Sequence, residues 1–211
     1  VEIYTDPQWS PSGDYLLTRI EYFEGHSWAV VPVTQSGFPT RPVLLDAFGA
    51  EAQWTPDNRV LISSRGGSQS PRAEAAVISL ADAPDDGWTT LPDALILEQQ
   101  TILQRPVADA VVRGGDQFDL LLLPDPFGLG PTSLQIVSAG FSGDLLPVSR
   151  AFVLDQPQLG PDGTFVAGLS DLQFDEFGSF NGGRLTLFDI GSNRYSIIEG
   201  VTNVRDLIWG R

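Results

Sequence analysis

The chain is predicted to be all-β, a propeller of four-stranded blades, and three observations predict it. First, one phrase recurs. Pro7-Gln8-Trp9-Ser10-Pro11-Ser12-Gly13 leads into Tyr15-Leu16-Leu17, Ala52-Gln53-Trp54-Thr55-Pro56-Asp57-Asn58 into Val60-Leu61-Ile62, and Pro157-Gln158-Leu159-Gly160-Pro161-Asp162-Gly163 into Phe165-Val166-Ala167. Each copy has an apolar anchor, a Pro-containing turn closed by Gly or Asn, and a short apolar strand. Second, weaker matches at Val112 and at the final Trp209 extend the series in steps of roughly 45–58 residues, close to the period of propeller blades. Third, no long 3.6-residue apolar pattern runs through the chain, which excludes a helical solenoid. Only Asp93–Gln104 resembles a helix, and it is read as an excursion between blades.

Taken in order, each unit supplies short β-rich runs separated by turn chemistry. After Trp9 come Tyr15–Tyr22, Trp28–Val33 and Pro42–Leu45; after Trp54 come Val60–Ser64, Ala75–Leu80 and Trp88–Leu91. The third unit gives Phe118–Leu123, Ser133–Val137 and Leu145–Val148, and the fourth Phe165–Leu169, Arg184–Asp189 and Arg194–Ile198. The expected organisation is one propeller domain over residues 1–211, with blades at about 7–45, 52–92, 107–149 and 157–199 and seam strands at 1–6 and 203–211. That makes four complete blades and a partial fifth. Two readings of the ends stay open: part of a larger propeller, or closure of Ile3–Tyr4 against Leu207–Trp209.

The repeated residues resemble the TolB-type, WD40-like repeat of bacterial β-propellers, a degenerate W-S-P-D-G unit followed by a short apolar strand. In that family the third strand commonly ends in aspartate before a Gly-containing turn. Leu185-Thr186-Leu187-Phe188-Asp189-Ile190-Gly191 fits this ending. Unit three lacks both the Trp and the Pro-Asp, and unit four has Leu159 in place of Trp. The resemblance spans essentially the whole chain and implies a propeller fold and, since most members are exported, a place outside the cytoplasm.

Composition narrows the function. The 211 residues carry 27 acidic against 12 basic side chains, a formal charge of −15, and every basic residue is arginine. Such a chain offers no basic footprint for nucleic acid. It has no cysteine, which removes disulfides and thiolate metal sites, and no methionine, which points to a processed or partial polypeptide. A removed signal peptide would agree with the resemblance. The apolar run Leu120–Leu123 is broken at once by Pro124, so no transmembrane segment is expected.

Candidate chemistry is sparse. His26 is the single histidine, beside Glu24 and Ser27, and is expected to be a turn residue because neighbouring strand residues face opposite ways. The acidic insertion Asp171–Gly183 offers Asp171, Asp175, Glu176 and Asn181 as weak calcium ligands, with a spacing unlike the twelve-residue helix–loop–helix site. Its Phe174, Phe177 and Phe180 fit a blade cap or a partner contact, and Phe127 and Leu129, in a stiff Pro-rich loop, are further partner candidates. The cluster Asp82–Gly87 reads as a solvated turn, and nothing singles out a carboxylate pair for glycoside hydrolysis. Trp9 and Trp54 are expected to fill the space between blades, whereas Trp28 and Trp88 are candidates for exposure.

No cofactor is expected and no catalytic set is recognisable. The leading expectation is a non-enzymatic, extracytoplasmic propeller that binds protein partners as a scaffold or accessory subunit of a larger assembly. The alternatives are the substrate-gating propeller of a prolyl-oligopeptidase-like hydrolase and a surface-layer or filament component.

Overall fold

The structure, a computed structural model, describes residues 3–34, 42–66, 74–85, 88, 94–123, 133–201 and 204. It is all-β. Four sheets of four strands each follow chain order as antiparallel meanders. The first comprises β1 (Ile3–Trp9), β2 (Tyr15–Tyr22), β3 (Gly25–Pro32) and β4 (Val43–Leu44). The second comprises β5 (Glu51–Trp54), β6 (Val60–Ser63), β7 (Ala75–Leu80) and β8 (Ile96–Leu103). The third is β9 (Val107–Gly114), β10 (Gln117–Leu122), β11 (Gln135–Gly140) and β12 (Leu145–Pro147); the fourth is β13 (Asp155–Leu159), β14 (Phe165–Phe174), β15 (Phe180–Asp189) and β16 (Arg194–Ile197).

The recurring phrase marks one structural place. Trp9 pairs with Leu16, Trp54 with Val60, and Leu159 with Val166, each at the end of the first strand of its sheet. In all three turns the fourth residue donates its N–H to the carbonyl of the first: Gly13 to Ser10, Asn58 to Thr55, Gly163 to Gly160. That fourth residue lies in the left-handed region, at φ 79° for Gly13, 62° for Asn58 and 64° for Gly163. Only Gly and Asn enter this region readily, which is why the sequence alternates between them there. Unit three replaces the Pro-turn with the two-residue hairpin Gly115-Asp116, with Gly115 at φ 54°.

The first two sheets belong to one compact unit, Val1–Pro106, and the last two to another, Val107–Arg211. Within the first unit, residues two apart on each strand face a shared apolar core: Tyr15 and Leu17, Trp28 and Val30, Val60 and Ile62, Ile78 and Leu80. Ties at the first strands reinforce the core. The Trp54 indole donates to the Gln8 carbonyl at 2.9 Å, and the Ser12 N–H to the Asn58 side chain at 2.9 Å.

Within the second unit the core gathers Val111, Leu121, Ile136, Leu159, Val166 and the stacked pair Phe152–Phe188, whose ring centroids are 4.2 Å apart. Here charged groups make the ties. Arg113 pairs with Asp119, a carboxylate 3% exposed, at 2.5 Å and donates to the carbonyls of Asp162 and Gly163 at 2.9 and 3.0 Å. The buried Asp109 carboxylate accepts the Leu159 N–H at 2.9 Å. Opposite the bulge at Gln156-Pro157, Gly168 is the one residue that fits, because a Cβ there would stand 2.6 Å from the Leu154 Cβ.

Several expectations are corrected. Trp9 is 57% exposed, while Trp28 and Trp88 are 2% and 6% exposed and belong to the core. Trp54, by contrast, packs against the core of the first unit, and Leu159 is fully buried in that of the second. Of the expected strand Trp88–Leu91 only Trp88 lies among the described residues; the fourth strand of the second sheet is β8, so the described part of Asp93–Gln104 is mostly strand. Its two-sided exposure leaves it without the apolar alternation of an inner strand. His26 lies in β3 rather than a turn, with Nδ1 3.2 Å from Arg19 and Nε2 2.9 Å from the Ala50 carbonyl. Residues 1–2 and 205–211, and with them Leu207–Trp209, lie outside the described residues.

Candidate functional site

Blade 4 departs from a plain meander. β13 pairs with β14 from Leu159↔Val166 to Asp155↔Leu169, and β16 with β15 from Asp189↔Arg194 to Thr186↔Ile197. Past those limits β14 and β15 continue together as a two-stranded ribbon, joined among the described residues by an isolated bridge between Gly183 and Val204. The sequence insertion Asp171–Gly183, expected as a loop, is therefore largely strand.

The turn of the ribbon is set by Asp175. Its Oδ1 accepts the N–H groups of Phe177 and Ser179 at 2.9 and 2.8 Å, its own N–H donates to the Ser179 carbonyl, and Gly178 occupies the left-handed position at φ 80°. An Asp that closes its own turn in this way is a local alternative to a ladder hydrogen bond. The result puts Phe174 directly across from Phe180, with ring centroids 5.9 Å apart and edge-on. Phe174 is 58% and Phe177 86% exposed. Phe174 and Phe180 thus pair across the ribbon just below a turn that carries Asp175, Glu176 and Phe177.

At the root of the ribbon Asp171, at φ 48°, and Leu172 form a bulge opposite Gly183. A Cβ on Gly183 would approach the Ser170 carbonyl and the Leu169 and Leu172 side chains to 3.0–3.1 Å, so any side chain there would press these neighbours aside by a few tenths of an ångström. Beside the bulge opens a cleft of about 390 Å³ lined by Val153, Leu154, Asp155, Leu169, Ser170, Asp171 and Leu172. Arg184 lies 3.5 Å from the Asp171 carboxylate.

A second cleft, about 370 Å³, lies in the first unit between Asp14, Tyr15, Asp57, Arg59, Asp82 and neighbouring residues. The Tyr15 ring is buried and its hydroxyl donates to the Ala81 carbonyl. Burial, and then the nearby carboxylates of Asp14 and Asp82, push the phenol up to about 12. Asp57 is shifted the other way. Burial opposes its charge, but the Thr55 hydroxyl and the Arg59 guanidinium, 2.7 Å away, hold its carboxyl below the usual range.

The remaining sequence candidates fall as follows. Asp171, Asp175, Glu176 and Asn181 all lie on the ribbon, with Asp171 facing Arg184 and Asp175 engaged in the turn. Among the described residues no three His, Cys, Asp or Glu side chains converge as a metal-holding group. Phe127 and Leu129 lie outside the described residues. Asp189, expected at the end of a third strand, ends β15 and accepts the Ser192 N–H at 2.6 Å, a bond that lowers its pKa.

The shape can be compared with known proteins. The structure is similar to that of TolB from Acinetobacter baumannii, with a TM-score of 0.50 and 13% identity over 93% of this chain. The fold is a TolB-like β-propeller. This chain spans 43% of the length of that TolB, and at such identity the likeness concerns architecture alone. Protein-family models give no match to the sequence, and neither do curated proteins. No helix among the described residues is long and apolar enough to cross a membrane.

Sequence reasoning found the aromatic residues of the propeller's ribbon but missed both clefts. The clefts join residues far apart in sequence, such as Leu154 with Leu172 and Tyr15 with Asp82, and each of their contributions reads locally as an ordinary turn or strand end.

Proposed function

We propose that this TolB-like propeller is an interaction module without chemistry of its own, working outside the cytoplasm as a scaffold or accessory subunit, and that the ribbon of blade 4 is its partner contact. One observation carries the reading. Phe174 and Phe180 face each other across a ribbon that runs beyond β13 and β16, and Phe177 stands at its turn, 86% exposed. Large rings held in water by a rigid scaffold are a cost to the free protein that a partner removes, and aromatic side chains dominate the energetics of protein contacts. Extracytoplasmic placement is supported by the resemblance to an exported repeat family.

The test is site-specific photocrosslinking in the producing cell. A benzophenone amino acid at position 177 is expected to yield an adduct of discrete mass, and the same group at the exposed Leu146 is expected not to. Cell fractionation is expected to recover the chain outside the cytoplasm. Equal labelling from both positions, or no discrete adduct at 177, overturns the ribbon as the contact; recovery in the cytosol overturns the placement.

A further inference from the structure

We propose that the cleft at the root of the ribbon receives a cationic side chain, arginine or lysine, from a partner segment whose apolar residues cover Phe174 and Phe177. This rests on the interaction reading above and specifies the chemistry of the partner. The cleft, about 390 Å³, is lined by the apolar Val153, Leu154, Leu169 and Leu172 and by two acidic residues, Asp155 and Asp171. A long basic side chain has that same division, an apolar stem and a charged head. Both carboxylates are exposed, and Asp155 uses Oδ1 for the Gln156 N–H.

Charge decides between occupants. Around the cleft and the tip stand Asp155, Asp171, Asp175 and Glu176, with Arg184 beside Asp171 as a counter-charge. A neutral apolar segment laid over this surface would strip water from carboxylates without replacing it, a cost of several kcal/mol per buried charge. A second copy of this chain, with a formal charge of −15, meets the surface with like charge. A basic, apolar segment satisfies both halves of the surface at once.

The probe is a labelled short synthetic peptide alternating leucine and arginine, with a glutamate-for-arginine and a serine-for-leucine counterpart, titrated by fluorescence anisotropy and mapped by amide chemical shifts. The leucine–arginine peptide is expected to bind, to shift amides of residues 153–155 and 169–184, and to weaken as salt rises. Asp155→Asn and Asp171→Asn keep the carbonyl acceptors, so they should leave folding intact, and each is expected to weaken binding on the order of tenfold. Phe174→Ala and Phe177→Ala are expected to weaken it independently. Equal binding of the glutamate peptide, or undiminished binding to the double Asn variant, sinks the cationic cleft, and if the Phe dependence survives, the ribbon reading stands alone. Binding indifferent to both sets of variants, or no binding of the leucine–arginine peptide at millimolar concentration, overturns the proposal.

Discussion

Removing Trp28 should unbalance the first unit far more than removing Trp9, although Trp9 is the residue the repeat advertises. A Trp side chain carries about 150–250 Å² of surface. Trp28 is 2% exposed, and its indole donates to the Ala50 carbonyl at 2.8 Å. Trp28→Ala therefore loses nearly all of that burial and leaves a cavity, about 3–5 kcal/mol for such truncations. The Ala50 carbonyl keeps a partner in the His26 ring, so the lost hydrogen bond adds little. Trp9 is 57% exposed. At about 25 cal/mol per Å², and allowing for burial already present in the unfolded chain, Trp9→Ala should cost about 1–1.5 kcal/mol. Urea unfolding followed by far-ultraviolet circular dichroism reads the difference. With a slope of about 2 kcal/mol per molar, a difference of roughly 1.5–4 kcal/mol separates the two midpoints by about 1–2 M. A Trp9→Ala variant as unstable as Trp28→Ala would refute the assignment of the core.

Two further predictions concern charged and titrating groups. Arg113→Met leaves the Asp119 carboxylate buried without its guanidinium, so a loss of about 3–5 kcal/mol is expected in thermal melts, with part of it restored by adding Asp119→Asn; a loss below about 1 kcal/mol contradicts the buried pair. For Tyr15, subtracting the 295 nm titration of Tyr15→Phe from that of the parent isolates one phenol, expected to titrate at about 12 in the folded chain and about 10 in urea. Below pH 10 both states keep the proton and the full stability is present. Between 10 and 12 the unfolded chain ionises first and stability falls, until the folded pKa is passed. A folded-state midpoint near 10 would show that the buried phenol and its acidic neighbours are misplaced.

The architecture was legible because the turns carry their own physics. A left-handed residue four places into each turn admits little but Gly or Asn, so Gly13, Asn58 and Gly163 write the first hairpin of three of the sheets into the sequence. Strand order followed from meander topology, and Ala75–Leu80 is a strand over its expected span. What failed was the outermost strand β8, exposed on both faces and so without a periodic apolar signal, and the exposure of Trp9, Trp28 and Trp88. Trp9 and Trp54 occupy equivalent ladder positions, yet Trp9 is exposed and Trp54 packs against the core, a tertiary difference that no local window contains.

The ribbon shows the same divide within one element. Phenylalanines at every third position fit neither the period of a strand nor that of a helix, which is why 171–183 reads as a loop. Folded back on Asp175 and Gly178, the same spacing becomes regular: Phe174 and Phe180 are cross-strand partners and Phe177 is the tip. A turn of this kind was readable in principle from an Asp that caps its own backbone three residues before a Gly. The cleft at the root was not, because it depends on a bulge at Asp171 meeting Val153 and Leu154 from a segment before β13. Aromatic identity is thus a property of the sequence, whereas the pairing of an apolar wall with two acidic residues exists only once the ribbon has folded, and it is on that pairing that the proposed preference for a cationic partner rests.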